Sequence, residues 1–457
     1  MPLHRLRSFV ARQRSSRFLR DAATLAIGTA IGQAITIVTA PLLAHFYLPE
    51  AFGGLAIFLS AQAILTLVLT LKFEQSIVVA KTDESALLLC RLIVVAGGVT
   101  AAVTTLPLWF FRAEIAAALH WESITPWIAA LPITSWFAGC WQAGRFLALR
   151  EKRFRAAAGA EILCRVVHAG AALIFVLGGA GLVVGPNGNT VTGDATAVPT
   201  GLVLAIPLGY CMSAVWLLHG IFRRPTVASE GALRRTFREH RGMSFSLLAS
   251  QGLSALSANI MVFGIAALYG DAVLGHYSMA VRLVGLPVAL IASAMGDVYR
   301  QRAAELYRRE GRFQRLMAKT VVVMACIGVP GFTIAGLLTP WAVPAILGAE
   351  WVETAQFMMI LLVSGSIGFI STVVDKAAVI TNARRYILTW HIVRFVGSNA
   401  VLLVSWSFSL TPIGLVWGVC GLQAFLYLWD LVVEYRLARG TGPGENQENG
   451  NAVTIRT

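Results

Sequence analysis

The residues of this chain with chemistry to offer are ionisable side chains set inside long apolar stretches. Arg282 lies ten residues into an apolar run that begins at 272, and Arg394 follows His391 by three positions on one helical face. A planar guanidinium stays charged at any relevant pH and donates paired hydrogen bonds, a geometry that suits a phosphate or diphosphate. Lys72 occurs with Glu74 and Asp375 with Lys376, while Glu161 and Arg165 stand at i and i+4, a spacing that lets them pair, with His168 beyond. Charge is costly in hydrocarbon and normally faces a cavity or a partner. The expected substrate-binding set is therefore Arg282, Arg394, Lys72, Lys376, Arg165 and His391. The carboxylates expected to carry a coupling ion are Glu74, Glu161, Asp297 and Asp375. For Glu161 with Arg165, and for Arg91 and Arg145, simple ion pairing or snorkelling explains the charge equally well.

Covalent chemistry has no comparable signal. There is no GxxxxGK[ST] loop, no HExxH, no GxSxG and no aspartate-rich loop, so no catalytic residue, metal or cofactor is expected. The glycines of GGAGLVVG, 178–185, follow no strand and end an apolar run, which reads as helix termination. Cys90, Cys140, Cys164, Cys211, Cys326 and Cys420 form no CxxC and sit in apolar runs as small core residues.

The elements that must hold these charges follow from composition. The chain has 457 residues, is 57% hydrophobic and 13% charged, with a mean hydropathy of +0.70, against about a quarter charged in soluble domains. Apolar stretches long enough to span a bilayer, about 20 residues, recur without the period-2 alternation of barrel strands. The class is all-α and polytopic. Twelve spans are expected, at 21–46, 53–80, 86–111, 126–149, 156–180, 200–222, 243–268, 272–299, 319–341, 353–380, 386–408 and 412–435. Arg282 then falls about 15 Å from the outer edge, at about 1.5 Å per residue, near the midplane.

An even count puts both termini on one side. With the N-terminus inside, and Lys319 at the edge of the ninth span counted with the loop before it, 29 of the 37 Lys and Arg residues fall on inside segments, seven inside spans, and only Arg112 outside. This asymmetry follows the positive-inside rule and places both termini in the cytoplasm. It also explains the net charge of +14, which points to anionic membrane lipids and not to nucleic acid. Residues 1–20 lack a signal-peptide core, so the first span is expected to be an uncleaved anchor.

The expected organisation is a basic cytoplasmic segment, 1–20, an N-lobe of six spans, 21–222, an inter-lobe loop, 223–242, a C-lobe of six spans, 243–435, and a disordered tail, 436–457. Glu50-Ala51-Phe52-Gly53-Gly54 and Asp271-Ala272-Val273-Leu274-Gly275 occupy equivalent places in the two sets, as a parallel repeat would have it. The longest outside loop, about 181–200, has the composition of a flexible surface loop.

Two blocks carry a family resemblance. The run LGHYSMAVRLVGLPVALIASAMGDVYRQRAAELYRREGR, 274–312, resembles the signature of bacterial polysaccharide flippases of the multidrug/oligosaccharidyl-lipid/polysaccharide superfamily, through Gly275, Tyr277, Ala280, Arg282, Leu286, Pro287 and Glu305 among others. It departs from that signature at Asp297, Arg300 and Gln301. The block 41–86 is similar to a second family segment, with Lys72-Phe73-Glu74 where the family has Arg-Tyr-Glu and His45 in place of a common Arg. The resemblance implies two six-helix lobes around a central cavity, alternating access, and an undecaprenyl-diphosphate-linked saccharide as cargo. A polysaccharide polymerase and chain-length machinery are further expected partners, and localisation is the bacterial inner membrane. A cation-coupled multidrug exporter of the same superfamily is the main alternative, and its cargo would favour carboxylates over arginines. A membrane glycosyltransferase or ligase would need a substantial outside loop, and a non-transporting scaffold would leave the midplane charges without purpose.

Overall fold

The computed structural model describes residues 24–25, 27–177, 200–224, 231–288, 293–381 and 383–440. The expected basic N-terminal segment, most of the loop at 181–200 and the tail from 441 lie outside the described residues. Every regular element among the described residues is helical: α1 (Ile27–Ala44), α2 (Pro49–Thr70), α3 (Phe73–Val79), α4 (Asp83–Phe110), α5 (Arg112–Leu119), α6 (Leu131–Arg150), α7 (Phe154–Leu177), α8 (Thr200–Leu218), α9 (Ala232–Pro287), α10 (Ser293–Glu310), α11 (Gln314–Leu347), α12 (Val352–Val374), α13 (Ala377–Ile380), α14 (Arg384–Ser407) and α15 (Pro412–Ala438). Side-chain caps and prolines start several of them. Thr82 Oγ1 accepts from Ser85 N at 3.1 Å ahead of α4, Thr411 Oγ1 accepts from Gly414 N at 3.3 Å ahead of α15, and α2 and α15 begin at Pro49 and Pro412.

Ten stretches of the described residues are long and apolar enough to cross a membrane, so the protein is a multi-pass membrane protein. Two features relate that number to the twelve spans read from sequence. The stretch Ala232–Leu286 holds two helices that meet at Gly270, where φ is 81°. Helix α6 has 20 residues but is not among the ten, because Gln142, Arg145 and Arg150 lower its hydropathy.

Side-chain distribution is that of a protein dissolved in lipid. Val99, Val103, Trp341 and Phe408 are 61–75% exposed, whereas Glu74, Ser76, Thr134 and Ser213 are completely buried. The chain parts into two compact units, Met1–Gly275 and His276–Thr457. In the first, α6 packs on α2, α4 and α8, and α8 packs along α7. In the second, α12 packs on α11 and α15 around Trp351, Phe357 and Phe369.

Lipid gives helices no hydrophobic drive to associate, so close packing over small residues takes its place. The two short sequences read as repeat counterparts meet at such a crossing in the first unit. A Cβ at Gly53 would lie 2.0 Å from Asp271 O, and a Cβ at Gly275 would lie 1.8 Å from Pro49 O. Backbone touches backbone there, so neither glycine can take a side chain without separating α2 from the second half of α9. We expect Gly275→Ala to lower stability by about 1–3 kcal/mol through overpacking. Gly331→Ala, where nothing lies within 4 Å, should be neutral or slightly stabilising by helix propensity. Thermal unfolding of purified protein followed by size-exclusion chromatography checks this, and equal behaviour of the two variants would refute it.

Candidate functional site

Span two does not run unbroken to residue 80. Helix α2 has 22 residues, about 33 Å at about 1.5 Å per residue, which already crosses the hydrocarbon core. It stops at Leu71 and Lys72, both left-handed at φ 47° and 62°, and α3 restarts at Phe73. Non-glycine residues at positive φ are uncommon. Across this break Lys72 Nζ reaches Glu74 Oε1 at 3.2 Å, with the Glu74 side chain fully buried and that of Lys72 15% exposed. Around the pair, Gln75 and Gln251 exchange hydrogen bonds at 3.1 and 3.2 Å, Ser76 Oγ meets Ser244 Oγ at 3.1 Å, and Phe73 packs on Phe237. The break thus turns a basic and an acidic side chain toward a polar seam with α9.

A second break closes α12. The helix has 23 residues and ends at Val374, Asp375 and Lys376 fill the junction with their side chains paired to each other, and α13 begins at Ala377. Two carboxylates of α15 organise this junction. Glu434 accepts from the backbone N–H groups of Ala377 and Ala378, taking up free donors at the start of α13. Asp430 accepts from Tyr386 Oη at 2.6 Å and from Ser371 Oγ at 2.8 Å. Sequence reading missed Asp430 and Glu434. Their signal was two carboxylates at i and i+4 inside an expected span with no cation beside them on that helix.

Arg394 lies half-buried on α14, close enough to Tyr277, Tyr427 and His391 to act on them electrostatically. It has no ion-pair partner among the described residues. His391 Nδ1 is buried without a hydrogen-bond partner. A guanidinium flanked by phenols and an imidazole offers several donors and one positive charge, the composition of an anion site. Tyr277 belongs to the 274–312 block, but its place beside Arg394 was not readable from sequence. Arg282 is half-buried near the end of α9.

Two expected site residues are engaged locally. Arg165 donates to Glu161 Oε1 from Nε at 3.2 Å and Nη2 at 3.1 Å. Gly28 and Gly32 let α1 cross directly over this stretch of α7: a Cβ at Gly32 would be 3.3 Å from Glu161 Cγ. His168 Nε2 shares a hydrogen bond of 2.9 Å with Ile206 O. Arg91 donates to Ile221 O at 2.8 Å and Arg224 O at 2.6 Å. The side chain of Asp297 lies outside the described residues. Within the described residues no group of three His, Cys, Asp or Glu side chains is placed to hold a metal ion.

The described spans are all helical, two of them are interrupted and charge is buried among them, and comparison with known proteins identifies the fold. A family model described as a polysaccharide biosynthesis protein matches residues 200–356, which contain the 274–312 block. No curated protein matches the chain. Among solved structures, the lipid II flippase MurJ in an inward closed conformation aligns with a TM-score of 0.63 at 11% identity over 91% of this chain and 89% of its own. An inward-facing multidrug resistance MATE family transporter of the MOP superfamily aligns with a TM-score of 0.64 at 13% identity over 90% and 98%. The Vibrio cholerae MATE transporter VcmN gives 0.53 at 14% over 93% and 96%. The chain therefore shares its fold with these transporters, and its likeness to a polysaccharide biosynthesis family rests on the sequence of residues 200–356.

Removing one partner of a buried ion pair strands the other, at about 3–5 kcal/mol. Lys72→Met should therefore deplete folded protein. Lys72→Met combined with Glu74→Leu should restore abundance, because a buried pair replaced by apolar groups is often neutral. Transport by the double variant then reports function apart from folding. Normal transport at normal abundance would remove Lys72 and Glu74 from the site.

Proposed function

We propose that this protein is a flippase that carries a polyprenyl-diphosphate-linked saccharide from the cytoplasmic to the periplasmic leaflet of a bacterial inner membrane, for lipopolysaccharide or exopolysaccharide assembly. The observation that carries this reading is Arg394, half-buried within electrostatic reach of Tyr277 and Tyr427 and without a carboxylate partner among the described residues. A resident cation with no internal counter-ion fits an anionic visitor, and a diphosphate accepts both the guanidinium fork and phenolic donors. Arg282 joins it as a second guanidinium in this reading, with Lys376, Lys72, Arg165 and His391 as further cationic or polar contacts. The 274–312 resemblance and the polysaccharide-biosynthesis match over 200–356 supply the class of cargo.

The protein makes and breaks no covalent bond in this account. Six-span lobes at 21–222 and 243–435 alternate access to the two faces of the membrane, with both termini in the cytoplasm. Glu74, Glu161, Asp297 or Asp375 exchanges a coupling ion during the cycle, and the saccharide reaches a polymerase and chain-length machinery on the far side. A cation-coupled drug exporter is the second reading, and the buried Asp430 and Glu434 are what favour it. Their oxygens already accept from Tyr386, Ser371 and two backbone N–H groups, which leaves little for a cationic cargo.

A hydrogen bond to a charged group contributes about 1.5–3 kcal/mol, so its loss costs at least about tenfold in cargo binding. We expect Arg394→Ala and Arg282→Ala to abolish surface polymer in complementation of a flippase-deficient strain at equal membrane abundance, with the Lys variants partly active. Normal polymer from both Ala variants would refute the phosphate site. The proposed topology has its own check. A cysteine at Asn187 should react with an impermeant maleimide in intact spheroplasts, and one at Gly231 only after permeabilisation.

A further inference from the structure

The second unit carries a groove on its outer surface between α11 and α15, of about 620 Å³, whose walls include Ala318, Val321, Val322, Leu428 and Val432 and whose end is set by Arg436 and Arg439. Its walls are apolar and exposed: Val322, Leu428 and Val432 are 50–60% accessible. The charged end is held firmly. Phe313 N donates to Ala438 O at 3.0 Å, Gln314 hydrogen-bonds Tyr435 Oη at 2.5 Å, and the Arg439 guanidinium stacks 5.4 Å from the Tyr435 ring centroid. Arg436 and Arg439 are exposed, and among the described residues neither has an ion-pair partner. Arg315 and Lys319, exposed on the first turns of α11, add to the same positive field.

The first unit holds a contrasting groove of about 260 Å³, bordered by α4, α6 and α8, which is the counterpart pairing if the proposed lobes are repeats. No Lys or Arg lines it, and the arginines next to its lining residues are already used. Arg91 is bound to the carbonyls of Ile221 and Arg224 and lies over Phe222, and Arg224 pairs with Glu151. Of these two grooves, the one in the second unit pairs an open apolar channel with arginines that have no ion-pair partner among the described residues.

We propose that the α11–α15 groove binds an anionic glycerophospholipid of the cytoplasmic leaflet, with an acyl chain along Val321, Leu428 and Val432 and its phosphate on Arg436 and Arg439. From Leu428 to Arg439 the helix rises about 16 Å at about 1.5 Å per residue, one leaflet's share of a hydrocarbon core about 30 Å thick. That length matches a membrane acyl chain and is far too short for a long polyprenyl tail. Basic pockets between spans on the cytoplasmic side are the expected seats of anionic headgroups. This inference goes beyond the flippase reading and uses only its orientation.

The test uses the full chain in nanodiscs containing a photoactivatable phosphatidylglycerol or the phosphatidylcholine analogue with the same chains. Phosphatidylglycerol should label peptides from 314–322 and 428–439 at least about five times more than phosphatidylcholine. That preference should vanish in Arg436→Gln with Arg439→Gln. Ala318→Trp, which fills the groove and keeps both charges, should lose the label as well, and it decides the matter if the double variant is not monodisperse. Equal labelling by the two lipids, or a label unchanged in the variants, overturns the proposal. So does displacement by undecaprenyl phosphate where excess phosphatidylglycerol fails, which would give the groove to the cargo instead. None of these outcomes depends on flipping, so failure here leaves the transport reading to its own test.

Discussion

Hydrocarbon offers no hydrogen bonds, and every polar group placed at membrane depth has to find its partner within the protein. The rest of this structure follows from that condition. It makes every described element helical, turns large apolar side chains such as Trp341 and Phe408 outward, and draws Glu74, Ser76 and Ser213 completely inward. It also explains why the two interruptions that follow full-length spans are so heavily serviced. At α12 the freed N–H groups of Ala377 and Ala378 fall to Glu434, and at α2 the left-handed Leu71 and Lys72 are followed by a buried ion pair and a glutamine pair.

Small residues do the work that hydrophobic burial does in water. Gly53 and Gly275 permit backbone contact between α2 and the second half of α9, Gly28 permits it between α1 and α7 at Ala158, and Gly32 leaves room for the Glu161 and Arg165 side chains. The first crossing joins the two segments whose similarity suggested an internal repeat. Each keeps a glycine because the other's backbone occupies the space a side chain would need.

How much of this was legible follows from what each feature leaves in sequence. Span length and loop charge are local, additive signals, so the all-α class and most span positions could be read directly. The helix break at Leu71 could not, because Lys72 and Glu74 announce a charge and not a left-handed backbone. The span expected at 126–149 is occupied over most of its length by helix α6. The site was less legible. The Glu161–Arg165 pair lies on one helix at i and i+4, so spacing revealed it. Arg394 with Tyr277 and Tyr427 comes from three separate helices, and nothing in one sequence joins them. Asp430 and Glu434 are visible as charges, but their partners lie on α12, α13 and α14, so their role in holding α13 is not legible in one sequence.

Charge in this molecule divides into two populations that the membrane treats differently. Glu161, Arg165, Asp430, Glu434 and Arg91 are matched by groups that stay with them, and they fix the geometry of α7, α13 and the end of α8. Arg394, Arg436 and Arg439 have no such carboxylate among the described residues. A charge with a permanent partner has little left for a visitor, since binding one would first have to break the pair. A charge without one is kept only if water, a lipid headgroup or a cargo phosphate supplies the missing interaction. Exposure then separates the two cases. Arg436 and Arg439 stand exposed at the end of α15, where headgroups are always present, whereas Arg394 is half-buried within α14, where in the proposed reading the anion is a cargo that arrives and leaves.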